Sequence, residues 1–160
     1  MEIYKYLIFP QKQLTDLKTA YWLKFNIFTL PWWLILFFLI VPWVVWTKKV
    51  DKKRIDEILL HGFFVLFFCC FLDNIGYQLN LWSYGYVFTP VSSILEPYDF
   101  SVLPVLYMLI YQYCSTWKSF ITVQFILAAF IFIVIEPITV HFNIYIMITE
   151  LTHTNKTSLK

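Results

Sequence analysis

Three carboxyl groups set the chemical question in this chain, because no basic residue lies near them. Asp73, Asp99 and Glu136 sit in stretches where no Lys or Arg occurs between Arg54 and Lys118, or between Lys118 and Lys156. An ionised acid in an apolar helix costs about 2.5–3.5 kcal/mol on insertion scales, so each must find donors, a proton or a cation. At about 1.5 Å per helical residue, Asp73 lies roughly 28 Å from Arg54, Asp99 roughly 28 Å from Lys118 and Glu136 roughly 27 Å from Lys118. Three acids on three helices are therefore expected at one level. One reading is an acidic pocket lined by Trp82, Tyr84 and Tyr107, whose crowded carboxyls raise one another's pKa and suit proton transfer or cation binding. The plainer reading is three carboxylates at helix ends, where Asp99, with Glu96, caps free amides and meets the positive end of a helix dipole.

A second polar set, His61, Tyr111, Gln112 and Gln124, falls within roughly 9–11 Å of the basic residues by the same count. These side chains are expected to form an inter-helix hydrogen-bond layer, each bond contributing about 0.6 kcal/mol in a membrane. His61 has no second ligand at metal spacing. Cys69, Cys70 and Cys114 lie in apolar runs without a paired thiol or His, so neither a disulfide framework nor a metal is expected. No cofactor motif is present either.

The elements that must carry these residues follow from composition. The 160 residues are 60% apolar and 14% charged, against about 25% charged in soluble domains, which points to an all-α polytopic membrane protein. Spans are expected over residues 29–46, 57–76, 100–117 and 119–136. The first, IFTLPWWLILFFLIVPWVVW, is uncharged and meets the roughly 20-residue requirement. Pro42 should bend or end it. The block TKKVDKKRIDE that follows must lie in water and, with Lys118, marks the cytoplasmic side, leaving the acids at the outer boundary. The segment from Tyr77 to Asp99 reads as an aromatic loop. Before the first span, within residues 1–28, Leu14, Leu17, Tyr21, Phe25 and Phe28 recur at helical spacing, describing an amphipathic interfacial helix. A polar tail is expected over residues 143–160. The start MEIYKYLIF lacks a cleavage site, so no signal peptide is expected.

The strings LPWWLILFFLIVPWVVWTKKVDKKRIDEILLHG, LDNIGYQLNLWSYGY and EPYDFSVLPVLYMLIYQYCSTWKSF resemble a family of small multi-pass membrane proteins from endospore-forming Gram-positive bacteria. The likeness runs over roughly Leu30 to Pro137 and implies a plasma-membrane protein without an established activity. The chain departs from the family pattern after Glu136-Pro137, as a shortened member would. A fainter similarity, to lycopene-cyclase-type membrane domains, rests on the order Asp73, Gly76, Trp82, Glu96-Pro97-Tyr98-Asp99. The paired glutamates of that domain are missing here. Two functions stay open: binding of a lipid, small hydrophobic molecule or partner helix through the acidic-aromatic pocket, or an isoprenoid or carotenoid cyclase using a protonated carboxylate. The partners implied are membrane lipids, with a partner helix or a second copy of the chain. A net charge of +2 without a basic stripe excludes nucleic acid.

Overall fold

Backbone in an apolar medium must satisfy its own N–H and C=O groups, and the long uncharged runs do so as helices. The computed structural model describes residues 2–141 and 144–148; the expected polar tail beyond 148 lies outside them. The chain is 76% helical, with three helices long and apolar enough to cross a membrane. Helix α1 is Glu2–Phe25, α2 is Leu30–Lys49 and α3 is Ile55–Gln78. Strand β1, Trp82–Tyr84, follows. Helix α4, Leu103–Tyr113, is entered through a π-helical turn, Tyr98–Val102. Helix α5, Trp117–Phe130, continues through a second π turn, Ile131–Ile135, into α6, Glu136–His141, and β2 is Tyr145–Met147.

Three of the expected spans are single helices long and apolar enough to cross a membrane; the one expected over 100–117 runs from the cap to the basic end as the π turn Tyr98–Val102 followed by α4. The helical run from Glu96 through the π turn Tyr98–Val102 to the end of α4 reaches about 27 Å, near the roughly 30 Å of a hydrocarbon core. The helix ends at Tyr113 rather than at 117. Cys114 turns extended, and Thr116 Oγ1 accepts from Ser119 N–H at 3.2 Å to start the next helix. The span expected over 119–136 runs instead from Trp117 to His141. Pro42 neither ends nor interrupts α2. A single missing N–H costs less in an apolar setting than unwinding would, since unwinding strands several backbone groups.

Both π turns precede prolines, and the cause is steric. A proline ring meets the carbonyl four residues earlier and offers it no donor. Pro104 thus frees the carbonyl of Phe100, which instead accepts from Trp43 Nε1 at 3.0 Å, tying α2 to the entry of α4. Pro137 stands in the same relation to the second π turn.

Close packing is concentrated between α2, α3 and α4, where Trp46, Ile58, Val105 and Met108 form the buried core. Helices α3 and α4 approach closely because Gly62 leaves room for Met108: a Cβ there would come within 2.7 Å of Met108 Cγ. The rest of the apolar surface faces outward. Phe37 and Phe38 on α2, Phe63, Phe67 and Phe71 on α3, and Phe125 and Phe132 on α5 and its extension are all exposed. None of the most apolar window of Trp117–His141 is buried. The amphipathic stripe of α1 faces outward too, with Leu14, Leu17, Tyr21 and Phe25 exposed.

The bundle has two distinct ends. At the basic end, Gln112 clamps the loop after α2, its Oε1 accepting from Asp51 N–H at 2.8 Å and its Nε2 donating to Lys49 O at 3.0 Å. The other end is capped by the segment expected to be an irregular loop. Part of it is β1, paired antiparallel with β2 through Trp82 with Met147 and Tyr84 with Tyr145. With only three residues in each strand, the ribbon leaves the chain all-α, as expected. Trp22 Nε1 donates to Val87 O at 3.1 Å and Trp32 Nε1 to Phe88 O at 3.2 Å, so α1 and the start of α2 also hold the cap.

Candidate functional site

Asp73 lies one turn before Gly76 on α3, and the two share a face. Gly76 matters because the Trp82 ring rests where its side chain would be: a Cβ would lie 2.6 Å from Trp82 Cε2 and closer still to the ring carbons beyond. The indole therefore settles on bare backbone, and its Nε1 donates to Asp73 Oδ1 at 2.8 Å. Tyr84, two residues along β1 and on the same side of the ribbon, donates its hydroxyl to the same oxygen. The backbone N–H of Leu95 donates to Asp73 Oδ2 at 2.9 Å. Three donors from two parts of the cap thus converge on one carboxyl.

Asp99, buried at the start of the π turn, shares a hydrogen bond with Asp73. Its pKa is raised, first by burial and then by that hydrogen bond and the charge of Asp73; the Leu95 amide opposes the shift. With no cation among the described residues paired to either carboxyl, Asp99 keeps its proton to a higher pH than an ordinary carboxyl does. Tyr84 is also held neutral, by burial and by its bond to Asp73.

The expected triad of acids is a pair with an outlier. Glu136, half-buried at the start of α6, exerts its charge on Tyr145 of β2, which also feels Asp73, whereas Glu136 does not contribute to the environment of Asp99. Helical rise matches the depth of Glu136 but says nothing of its direction, and the weakly packed Trp117–His141 helix sets it beside Tyr145 rather than Asp99. Of the aromatic lining, Trp82 and Tyr84 are bonded to Asp73. Tyr107 lies two turns deeper on α4, beside Cys69.

Glu96 does not cap α4. It is buried and folds back onto the loop, accepting from Phe88 N–H at 3.2 Å, Thr89 N–H at 3.1 Å and Thr89 Oγ1 at 3.2 Å. Asn74 accepts from Ser93 Oγ at 2.8 Å. Together Asp73, Asn74 and Glu96 pin the cap at three points.

The polar layer at the other end forms only in part. His61 stacks on Tyr111, with ring centroids 4.7 Å apart, and meets Phe120 edge-on at 5.7 Å. Tyr111 donates its hydroxyl to Glu57, which pairs with Arg54 at 3.1 Å. Gln112 turns to the loop, as described. Gln124 Oε1 is buried without a hydrogen-bond partner among the described residues. Glu57 is a member of this layer that hydropathy does not single out; its helical spacing from His61, one turn away, is the signal that could have found it.

Along the outer face of α3 runs an open groove of about 510 Å³, lined by Phe63, Leu66, Phe67, Phe71 and Phe100 and ending at Asn74, Ser92 and Ser93. Neither Asp73 nor Asp99 is among its lining residues. Among the described residues no cluster of His, Cys, Asp and Glu has the geometry to hold a metal. The chain matches no protein-family model, no curated protein sequence and no solved structure.

Proposed function

We propose that this chain is a multi-pass plasma-membrane protein that binds a lipid at its capped end, with one acyl chain in the groove along α3. The observation that carries this reading is the groove's polarity. Four phenylalanines and a leucine line its length, and the Asn74–Ser93 hydrogen bond closes one end, which matches a chain attached to a polar head. The exposed phenylalanines of α3 belong in hydrocarbon, and the basic block at the opposite end assigns the cap to the outer surface. In this reading the acid pair holds the cap together and performs no chemistry. A cyclase would instead need a carboxyl facing an apolar cavity, and Asp73 is turned toward Trp82, Tyr84 and Leu95, while neither acid lines the groove.

The test is mass spectrometry of the lipids retained by the purified, detergent-washed chain, beside Cys70→Trp, which sets an indole into the groove that Cys70 also lines. About one lipid per wild-type chain is expected, with a several-fold loss in the variant. Equal retention by Cys70→Trp, or no retained lipid in either, would overturn the reading. Retention of one isoprenoid to the exclusion of phospholipid would favour the cyclase.

A further inference from the structure

A second cavity, of about 160 Å³, lies between α1 and the cap, lined by Lys18, Asn26, Tyr77, Ser83 and Tyr84 among others. Its polar groups are unusual in this chain. Lys18 is half-buried, donates to the Tyr77 hydroxyl and lies over the Tyr77 ring at 4.9 Å. Among the described residues the ion pair is Arg54 with Glu57, at the opposite end, so the Lys18 ammonium keeps N–H groups and its charge for another partner. Asn26 is only 2% exposed, and its Oδ1 has no hydrogen-bond donor among the described residues. No carboxylate lines the cavity. The Tyr84 hydroxyl is committed to Asp73, so it leaves Asn26 unsatisfied.

We propose that this cavity binds one phosphate ester that also carries an O–H or N–H donor, the phosphate on Lys18 and the donor on Asn26 Oδ1. The charge requirement comes from a cation with no acid beside it. The donor requirement comes from an acceptor that burial has removed from water, because such an atom is costly to leave unmet. A glycerol or ethanolamine arm meets it, and a choline arm, lacking N–H and O–H, does not. At about 30 Å³ per water, the cavity has the capacity of about five waters, enough for a headgroup and too little for an acyl chain. Ser92 lines both this cavity and the groove along α3. One phospholipid therefore fits across both, a version that rests on the lipid reading above, whereas the phosphate site itself does not.

The experiment uses the full chain in neutral detergent and native mass spectrometry, with phosphatidylglycerol, phosphatidylcholine and soluble glycerol phosphate as separate probes. Phosphatidylglycerol should bind one per chain and at least tenfold more tightly than phosphatidylcholine. Lys18→Gln should weaken phosphatidylglycerol binding at least tenfold, while Lys12→Gln, on the exposed part of α1, should leave it intact. Asn26→Asp adds a charge that repels phosphate and should weaken binding as Lys18→Gln does; Lys18→Gln carries the test if Asn26→Asp does not fold. Binding of glycerol phosphate without phosphatidylglycerol supports the phosphate site and removes its lipid source, so the groove reading fails alone. Equal binding of the two lipids, or equal loss in Lys12→Gln and Lys18→Gln, would overturn the proposal in favour of general surface attraction.

Discussion

Replacing Gly76 by Ala should destabilise the protein, although alanine is the better helix former. The new Cβ would stand 2.6 Å from Trp82 Cε2, where carbon atoms rest at about 3.5–4.0 Å. The indole must therefore retreat by about 1 Å or more. Its Nε1 is 2.8 Å from Asp73 Oδ1, so the same retreat carries it past the hydrogen-bonding limit of about 3.5 Å. Losing a hydrogen bond to a charged group costs about 1.5–3 kcal/mol, and the helix gains at most about 1 kcal/mol from Gly→Ala. The net expectation is a loss of about 1–2 kcal/mol. In a Trp82→Ala background the obstruction is gone, so Gly76→Ala should change sign and stabilise by up to about 1 kcal/mol, a coupling of roughly 2–3 kcal/mol. The assay is reversible unfolding in mixed micelles followed by far-ultraviolet circular dichroism, which does not depend on the deleted tryptophan. If Gly76→Ala is neutral or stabilising in the wild-type background, the indole does not rest on Gly76, and the account of how Asp73 acquires its donors fails.

The two halves of the acid pair should respond oppositely to amide substitution. Asp73→Asn sets an NH₂ against at least one of the Trp82, Tyr84 and Leu95 donors and should cost about 1–3 kcal/mol, while Asp99→Asn keeps a donor toward Asp73 and should be neutral or stabilising at pH 7.5 in the same unfolding assay. The pH dependence follows from the raised pKa of Asp99. A carboxyl with a higher pKa folded than unfolded binds more protons in the folded state, so stability should rise as the pH falls from the raised value toward the ordinary carboxyl range near 4, and Asp99→Asn should flatten that rise; a wild type that loses stability over the same interval would refute the raised pKa of Asp99. In a cysteine-free background, single cysteines at Lys49, Lys52 or Lys118 should be shielded from an impermeant thiol reagent in intact cells, while one at Ser92 should react; the opposite pattern would reverse the orientation.

Depth is legible in the sequence because helical rise is nearly constant, and counting residues from the basic end is enough to set Asp73 and Asp99 at one level. Direction is not legible, and Glu136 shows why: its azimuth depends on how the helix Trp117–His141 packs, and that helix buries almost nothing. Trp82 and Tyr84 can be read as lining because only a short loop separates them from Asp73. Their pairing with Tyr145 and Met147 cannot, since each strand is three residues long and carries no alternation to mark it. The shortened α4 has a local signal that the hydropathy run conceals. Ser115-Thr116 is a helix-start pair, and Thr116 does cap α5, ahead of the boundary expected between the spans 100–117 and 119–136. Glu96 lies nearer in sequence to the start of α4 than to Thr89, and only the fold of the cap reveals which amides it reaches.

Burying Asp73 and Asp99 together looks costly until the proton is counted. Two ionised carboxyls at hydrogen-bond distance without a cation would repel strongly in a medium of low dielectric. With the proton kept on Asp99, the pair carries a single charge, and Asp73 receives the indole of Trp82, the phenol of Tyr84 and the amide of Leu95. Each donor belongs to the cap, whereas Asp73 belongs to α3 and Asp99 to the entry of α4. Asp73 therefore ties α3 to the cap, and its contact with Asp99 extends that tie to the entry of α4. The same cap supplies Ser92 to the groove and to the cavity beside α1. Any change that opens the acid pair should consequently loosen both binding surfaces, even though neither carboxyl lines the groove. Lipid retention in Asp73→Asn should fall with stability, and in Asp99→Asn it should persist, which separates a structural role for the acids from a chemical one.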